Sequence, residues 1–113
     1  MCSSDLKRFG EALAARGLIM LDAPVSGGAA KAAAGEMTVM AAGSDEAFTR
    51  LQPVLDAAAG KVYRCGSEIG LGATVKIIHQ LLAGVHIAAG AEAMALAAKA
   101  GIPLDSLDRK SVV

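Results

Sequence analysis

From Gly72 to Lys99 the sequence runs without a proline, closes on Gly101 and meets Pro103 just beyond. That pattern predicts a single helix longer than the globular norm. Small residues such as Ala83, Gly84, Ala88, Gly90, Ala91 and Ala95 line it, so neighbouring helices can approach almost backbone to backbone. The helix is therefore expected to be a buried core element and to suit a subunit interface. The change of character at its start places a domain boundary near Gly70. Ile77 to Ala91 is the most apolar stretch, but it is short for a membrane span and includes His79, Gln80 and His86, so no membrane partner is expected.

The length of 113 residues suits one compact body, below the size at which chains divide into separate cores. Hydrophobic residues make up 54% of the chain but aromatics only 3%, so its core has to pack through close backbone approach. Lysine and arginine total 11 against 11 acidic residues, which leaves no basic stripe and argues against nucleic acid as a partner. A small ligand or another protein chain fits better. Cys2 and Cys65 follow no metal or redox spacing and nothing resembles a secretory signal, so a reducing cytoplasmic setting is expected, with Cys65 as a small buried hydrophobe.

Before Gly70 the pattern alternates. Leu6, Phe9 and Leu13 recur at helical spacing up to Arg16, with Gly17 as a stop. Leu18 to Leu21 reads as a strand buried on both faces, ended by Asp22 and Pro24. An alanine-rich connector runs from a Ser-Gly-Gly loop to Gly35, and Met37 to Ala41 reads as a second buried strand. Ser44 is a natural N-cap, with Asp45 and Glu46 in the first turn and Phe48, Leu51 and Leu55 as the apolar stripe of a helix that Pro53 divides or restarts. Lys61 to Cys65 is a third strand, closed by Gly66, and Asp105 reads as the N-cap of a following helix that the chain cuts off. The fold class is α/β, with only part of its sheet in this chain.

Two segments carry chemistry. In Ser26-Gly27-Gly28 the glycines remove side chains so that backbone N–H groups can turn toward an anion, and a carboxylate with an adjacent hydroxyl fits such a cradle. An ordinary tight turn has the same signature, but a position after a buried strand is where open α/β sheets bind ligands. Lys76 stands in the opening turns of the long helix, with His79 and Gln80 on the same side at i+3 and i+4. Desolvation and the positive helix end both disfavour an ammonium there, which suits exchange of a proton near neutral pH. A lysine that snorkels to water is the alternative. His79 and His86 have no third ligand nearby, so no metal site is expected, and they read as hydrogen-bonded interior histidines.

The succession DAPVSGG, GEMTVMAAG, a proline-containing helix and GLGATVKIIHQLLAGVHIAAGAEAMALA resembles the β-hydroxyacid dehydrogenase family, which includes 3-hydroxyisobutyrate dehydrogenase, over Leu18 to Leu104. The KIIHQLL run is most similar to the branch that oxidises four-carbon sugar acids such as L-threonate. The resemblance implies the end of a Rossmann-like NAD-binding domain over residues 6–69 and the start of an all-helical C-terminal domain over 70–107, through which members associate into homo-oligomers. It implies hydride transfer between a small hydroxy acid and NAD, with NADP as the alternative. Lys76 matches the family's general acid/base, and Ser26, Gly27 and Gly28 match its substrate-binding loop. His79 and Gln80 stand where the family usually places asparagines against the substrate, which points away from hydroxyisobutyrate. No Gly-x-Gly-x-x-Gly turn and no ribose-binding acid accompany them, so the cofactor-binding residues stay unassigned and the chain alone is expected to be inactive. A non-catalytic helical assembly module on the same scaffold is the competing class.

The two ends differ in kind. Cys2-Ser3-Ser4-Asp5 and Asp108-Arg109-Lys110-Ser111 back-translate as TGC-TCT-TCC-GAT and GAT-CGG-AAG-AGC, stretches of one short nucleotide sequence on opposite strands that matches a common sequencing-adapter stem. Residues 1–5 and 108–113 are therefore expected to be non-native ends of an internal fragment.

Overall fold

The computed structural model describes residues 3–111, with side chains over 5–107. Met1, Cys2, Val112 and Val113, parts of the ends expected to be non-native, lie outside the described residues, while Ser3 and Ser111 belong to helices. The chain forms two compact units, residues 1–78 and 79–113, rather than the single body its length suggests. The long helix, Leu71–Lys99, runs through the division in sequence.

The first unit is α/β. Its elements are α1 (Ser3–Ala14), β1 (Val25–Ser26), α2 (Gly28–Ala33), β2 (Met37–Ala42), α3 (Asp45–Ala58), β3 (Ala59–Gly66) and the first turns of α4 (Leu71–Lys99). The sheet has the order β1-β2-β3, with β1 antiparallel and β3 parallel to the central β2. β2 reads Met-Thr-Val-Met-Ala-Ala and is buried over its last four residues, as a strand flanked on both sides has to be. Val39 and Ala41 meet Phe48 and Leu55 of α3, and Leu21, Ala23, Ala59 and Val62 close round them. This aliphatic core, with one aromatic ring, matches the low aromatic content. α3 starts where the sequence predicts: Ser44 Oγ accepts from Ala47 N at 3.1 Å, and Asp45 and Glu46 occupy the first turn.

Several expectations fail, each for a local reason. Leu18 to Leu21 forms no strand, because the antiparallel register sets Asp22 opposite Ala42, the last residue of β2. Residues 18–21 therefore run past the end of β2, and Leu18 is exposed. The strand lies instead beyond Pro24, so Ser26 is a ladder residue paired with Thr38, not part of a loop. The alanine-rich connector is helical as α2, since alanine pays almost nothing to enter a helix. Pro53 does not divide α3; the helix continues through it, giving up only the rung its missing N–H would make to Thr49. Cys65 is half-buried, and its Sγ lies 3.6 Å from the Tyr63 carbonyl.

The second unit consists of the rest of α4 and α5 (Leu104–Ser111). α4 ends as its glycine predicts, with Gly101 N donating to Ala98 O and Ile102 N to Ala97 O. Asp105 lies in the first turn of α5 rather than at its cap, because the helix begins one residue earlier. α4 is not the buried rod its composition suggests. Leu81, Leu82, Val85, Ile87 and Leu96 are exposed, Ala97 is its one buried residue described in this unit, and His79 and His86 are exposed rather than interior. Among the described residues nothing covers those side chains. At 29 residues α4 is also long and apolar enough to cross a membrane by length and composition alone, so shortness is no argument against it.

Candidate active site

Ser26 is the last residue of β1 and half-buried, and Gly27 is the N-cap of α2, with Gly28 its first residue. Gly27 has φ 140° and Gly28 φ 69°, values that favour glycine, and a Cβ on Gly27 would lie 2.9 Å from the Lys31 Cβ. The turn therefore requires both glycines, whatever it binds. Lys76 lies in the second turn of α4, half-buried, and no ion pair among the described residues uses it. His79 and Gln80 occupy the following turn, in the second unit, and are exposed.

No hydrogen bond joins Ser26, Gly27 or Gly28 to Lys76 among the described residues; their two segments meet instead at Asp22. This acid is only 4% exposed, and its Oδ2 accepts from Gly70 N and from Ala73 N, each at 2.9 Å. Its backbone is held at the same place: Asp22 N donates to Ala42 O at 2.9 Å, and Ala42 N to Asp22 O at 2.8 Å. The next rung is half made. Met40 N donates to Pro24 O, but Pro24 has no N–H to return to the Met40 carbonyl. The start of α4 settles on that carbonyl. A Cβ on Gly72 would lie 2.5 Å from Met40 O and 2.9 Å from Asp22 O, so only glycine fits. Thr74 Oγ1 donates to Gly70 O at 2.8 Å within the same turn.

Sequence reasoning took Asp22 for a strand terminator and missed this role. The missing signal was an absence: Gly70, immediately before α4, has no side chain with which to cap it, so a helix starting there needs an acceptor from elsewhere. Burial, with a smaller contribution from the Asp22 carboxylate, pushes the Cys65 thiol up from its ordinary value.

In the turn after β2, Gly43 N donates to Gly66 O at 3.1 Å and Ser44 Oγ accepts from Ala47 N. No three-residue cluster of histidine, cysteine, aspartate or glutamate able to hold a metal occurs among the described residues.

Residues 2–66 match the family described as the NAD binding domain of 6-phosphogluconate dehydrogenase, and residues 70–108 match the NAD-binding region of NADP-dependent 3-hydroxyisobutyrate dehydrogenase. An L-threonate dehydrogenase of Pectobacterium atrosepticum is 78% identical over 103 residues, covering 91% of this chain and 34% of that protein. Among solved structures, a 3-hydroxyisobutyrate dehydrogenase of Salmonella typhimurium is 70% identical with a TM-score of 0.78, covering 94% of this chain and 37% of that one. The 3-hydroxyisobutyrate dehydrogenase of Mycobacterium tuberculosis, solved with L-serine, is 36% identical with a TM-score of 0.88, over 94% and 36% of the two chains. The chain thus spans about a third of the length of the curated relatives it matches. With one model covering most of the α/β unit and the second taking over at the start of α4, the chain belongs to the family of 6-phosphogluconate dehydrogenase NAD-binding domains, in its 3-hydroxyisobutyrate dehydrogenase-like branch.

Proposed function

We propose that this chain is the substrate-side segment of an NAD(P)-dependent hydroxyacid dehydrogenase acting on L-threonate or a related sugar acid. The observation that carries the reading is the 78% identity to an L-threonate dehydrogenase over nearly the whole chain, against 41% to a curated 3-hydroxyisobutyrate dehydrogenase of Pseudomonas aeruginosa, although the Salmonella typhimurium structure bearing that second name is 70% identical. The L-serine in the Mycobacterium tuberculosis structure, a small carboxylate with a hydroxyl nearby, supports the substrate class. Ser26 and the backbone of Gly27 and Gly28 bind the carboxylate end of the substrate, and His79 and Gln80 contact its hydroxyls. Lys76, in its neutral form, takes the hydroxyl proton on oxidation and returns it to the carbonyl oxygen on reduction. The nicotinamide dinucleotide supplies the hydride acceptor. The sequence has no Gly-x-Gly-x-x-Gly motif, so the phosphate turn of that cofactor site is sought elsewhere in the longer enzyme, and the cofactor-binding residues of this chain stay unassigned.

The boundary between the enzyme's two domains is placed near Gly70, a position supported by the change of family model between residues 66 and 70. The exposed leucine, valine and isoleucine side chains of α4 support its burial against further helices and a second subunit. The test is NAD reduction by L-threonate in the longer enzyme carrying this segment, with and without Lys76→Ala. Loss of turnover by several orders of magnitude is expected. Turnover that survives the substitution undiminished would overturn the acid/base assignment of Lys76, and no turnover in the unsubstituted enzyme would leave the assembly module as the better reading.

A further inference from the structure

We infer that Asp22 is a positioning residue that seats Lys76 for proton transfer, an inference that rests on the acid/base reading of Lys76. The first turn of a helix presents N–H groups with no partner inside the helix, and a side chain just before it ordinarily accepts one or two of them. At α4 that side chain is missing, because the residue there is Gly70. Asp22 supplies the acceptor from 48 and 51 residues away, and one oxygen, Oδ2, takes both Gly70 N–H and Ala73 N–H. Two donors from one turn converging on one atom hold the helix against sliding along its axis and against rotating about it.

Lys76 follows Ala73 by three residues, which places it one turn further along the same side of the helix. Ser26 follows Asp22 by four residues along the extended segment whose Asp22 end is itself hydrogen-bonded to Ala42 in both directions. Asp22 is thus the point from which both the substrate-loop strand and the lysine helix are measured. Gly72 makes the same joint from the other side, since any side chain there would drive the helix off the carbonyls of Met40 and Asp22. An acceptor that reaches across the fold from the base of the substrate strand fixes the helix start relative to that strand.

The experiment uses the longer enzyme with Asp22→Ala, Asp22→Asn, Gly72→Ala and Lys76→Ala, reading kcat, KM and the solvent isotope effect on kcat in 2H2O, which reports the hydroxyl proton that Lys76 moves. A misplacement of about 1 Å costs about a hundredfold in a proton-transfer step. Asp22→Ala is therefore expected to lower kcat about 10- to 100-fold, with KM for the hydroxy acid within about threefold and a larger isotope effect on kcat, because chemistry becomes slower than product release. The amide oxygen of Asp22→Asn can still accept both N–H groups, so this variant should recover most of the loss. Gly72→Ala, which keeps the carboxylate, should reproduce the raised isotope effect. A fall in folded fraction lowers the amount of active enzyme but leaves the isotope effect where it was. If the folded Asp22 and Gly72 variants keep the wild-type kcat and isotope effect while only Tm falls, Asp22 is a structural cap and the inference is overturned. Should Asp22→Ala not fold, Asp22→Asn and Gly72→Ala decide on the same readouts. If Lys76→Ala retains full turnover, it is the acid/base reading that has failed, and the positioning role falls with it.

Discussion

Replacing a helical glycine by alanine has opposite consequences at three positions of α4, and the sign follows from the surroundings of each Cβ. Alanine favours the helix over glycine by about 1 kcal/mol, chiefly because the unfolded chain has less freedom to lose. At Gly84 and Gly90 a Cβ would meet nothing within 4 Å, so Gly84→Ala and Gly90→Ala should each express that gain. At Gly72 the new carbon would lie 2.5 Å from Met40 O and 2.9 Å from Asp22 O, both backbone atoms. Neither oxygen can swing aside as a side chain would: Asp22 O accepts from Ala42 N, and Met40 lies inside β2. The helix start has to back away by several tenths of an ångström, stretching the Asp22 bonds to Gly70 N and Ala73 N. Overpacking of this kind costs about 1–3 kcal/mol. Weakening two hydrogen bonds to a carboxylate adds about 1–2 kcal/mol. The cost exceeds the propensity gain, for a net loss of about 1–4 kcal/mol, or about 4–8 °C of Tm per kcal/mol for a unit of this size. Urea unfolding of this chain, with helicity at 222 nm as a second readout, should show a lower midpoint for Gly72→Ala and higher helicity for Gly84→Ala and Gly90→Ala. If Gly72→Ala stabilises the chain as much as the other two, α4 is not seated on the sheet by close approach and the account of the joint is wrong.

Ser44→Ala removes the acceptor for Ala47 N and should cost about 1 kcal/mol in urea unfolding, with Ser44→Asp retaining most of it. Arg64 stacks over the Phe48 ring at 4.1 Å and pairs with Asp45, but both charged side chains are largely exposed, so Arg64→Ala should change stability by less than about 1 kcal/mol, and less still in high salt. Because the Cys65 proton is held more tightly than in a free thiol, alkylation of Cys65 should rise at higher pH than that of a cysteine peptide, and Asp22→Asn should bring the curve part of the way back. The same displacement makes folding less favourable as pH climbs from the ordinary thiol range through the raised value, since the unfolded chain releases that proton first; urea midpoints across this range measure it.

Where one residue speaks for its own neighbourhood, the sequence was readable. The Ser44 cap, the proline-free run to Gly101, and the apolar core of β2 are signals contained in a few adjacent residues, and each element stands where those signals put it. The strand expected at Leu18 to Leu21 shows the limit, since an apolar run becomes a strand only beside a partner, and the register with β2 ends at Asp22. The burial expected of α4, His79 and His86 failed for a related reason: hydropathy states what a helix would prefer to touch, not whether this chain provides it. Of the expected site, Lys76 lies in the opening turns of its helix and Gly27 and Gly28 form a turn that demands glycine. Asp22 was beyond reach, because its partners are 48 and 51 residues distant and the reason for its presence is a cap that Gly70 lacks.

That separation also orders events in time. β2, α3 and β3 follow one another from Met37 to Gly66 with only Gly43 and Ser44 between elements, so their mutual contacts close over short stretches of chain. The Asp22 bonds bridge a far longer loop and gain their strength only once both of its ends are ordered. Refolding of this chain should therefore protect the amide hydrogens of β2 and β3 before that of Gly70, and gentle destabilisation should release Gly70 first. On the acid/base role proposed for Lys76, the longer enzyme would lose the seat of that lysine while most of this sheet was still intact, so inactivation would precede melting.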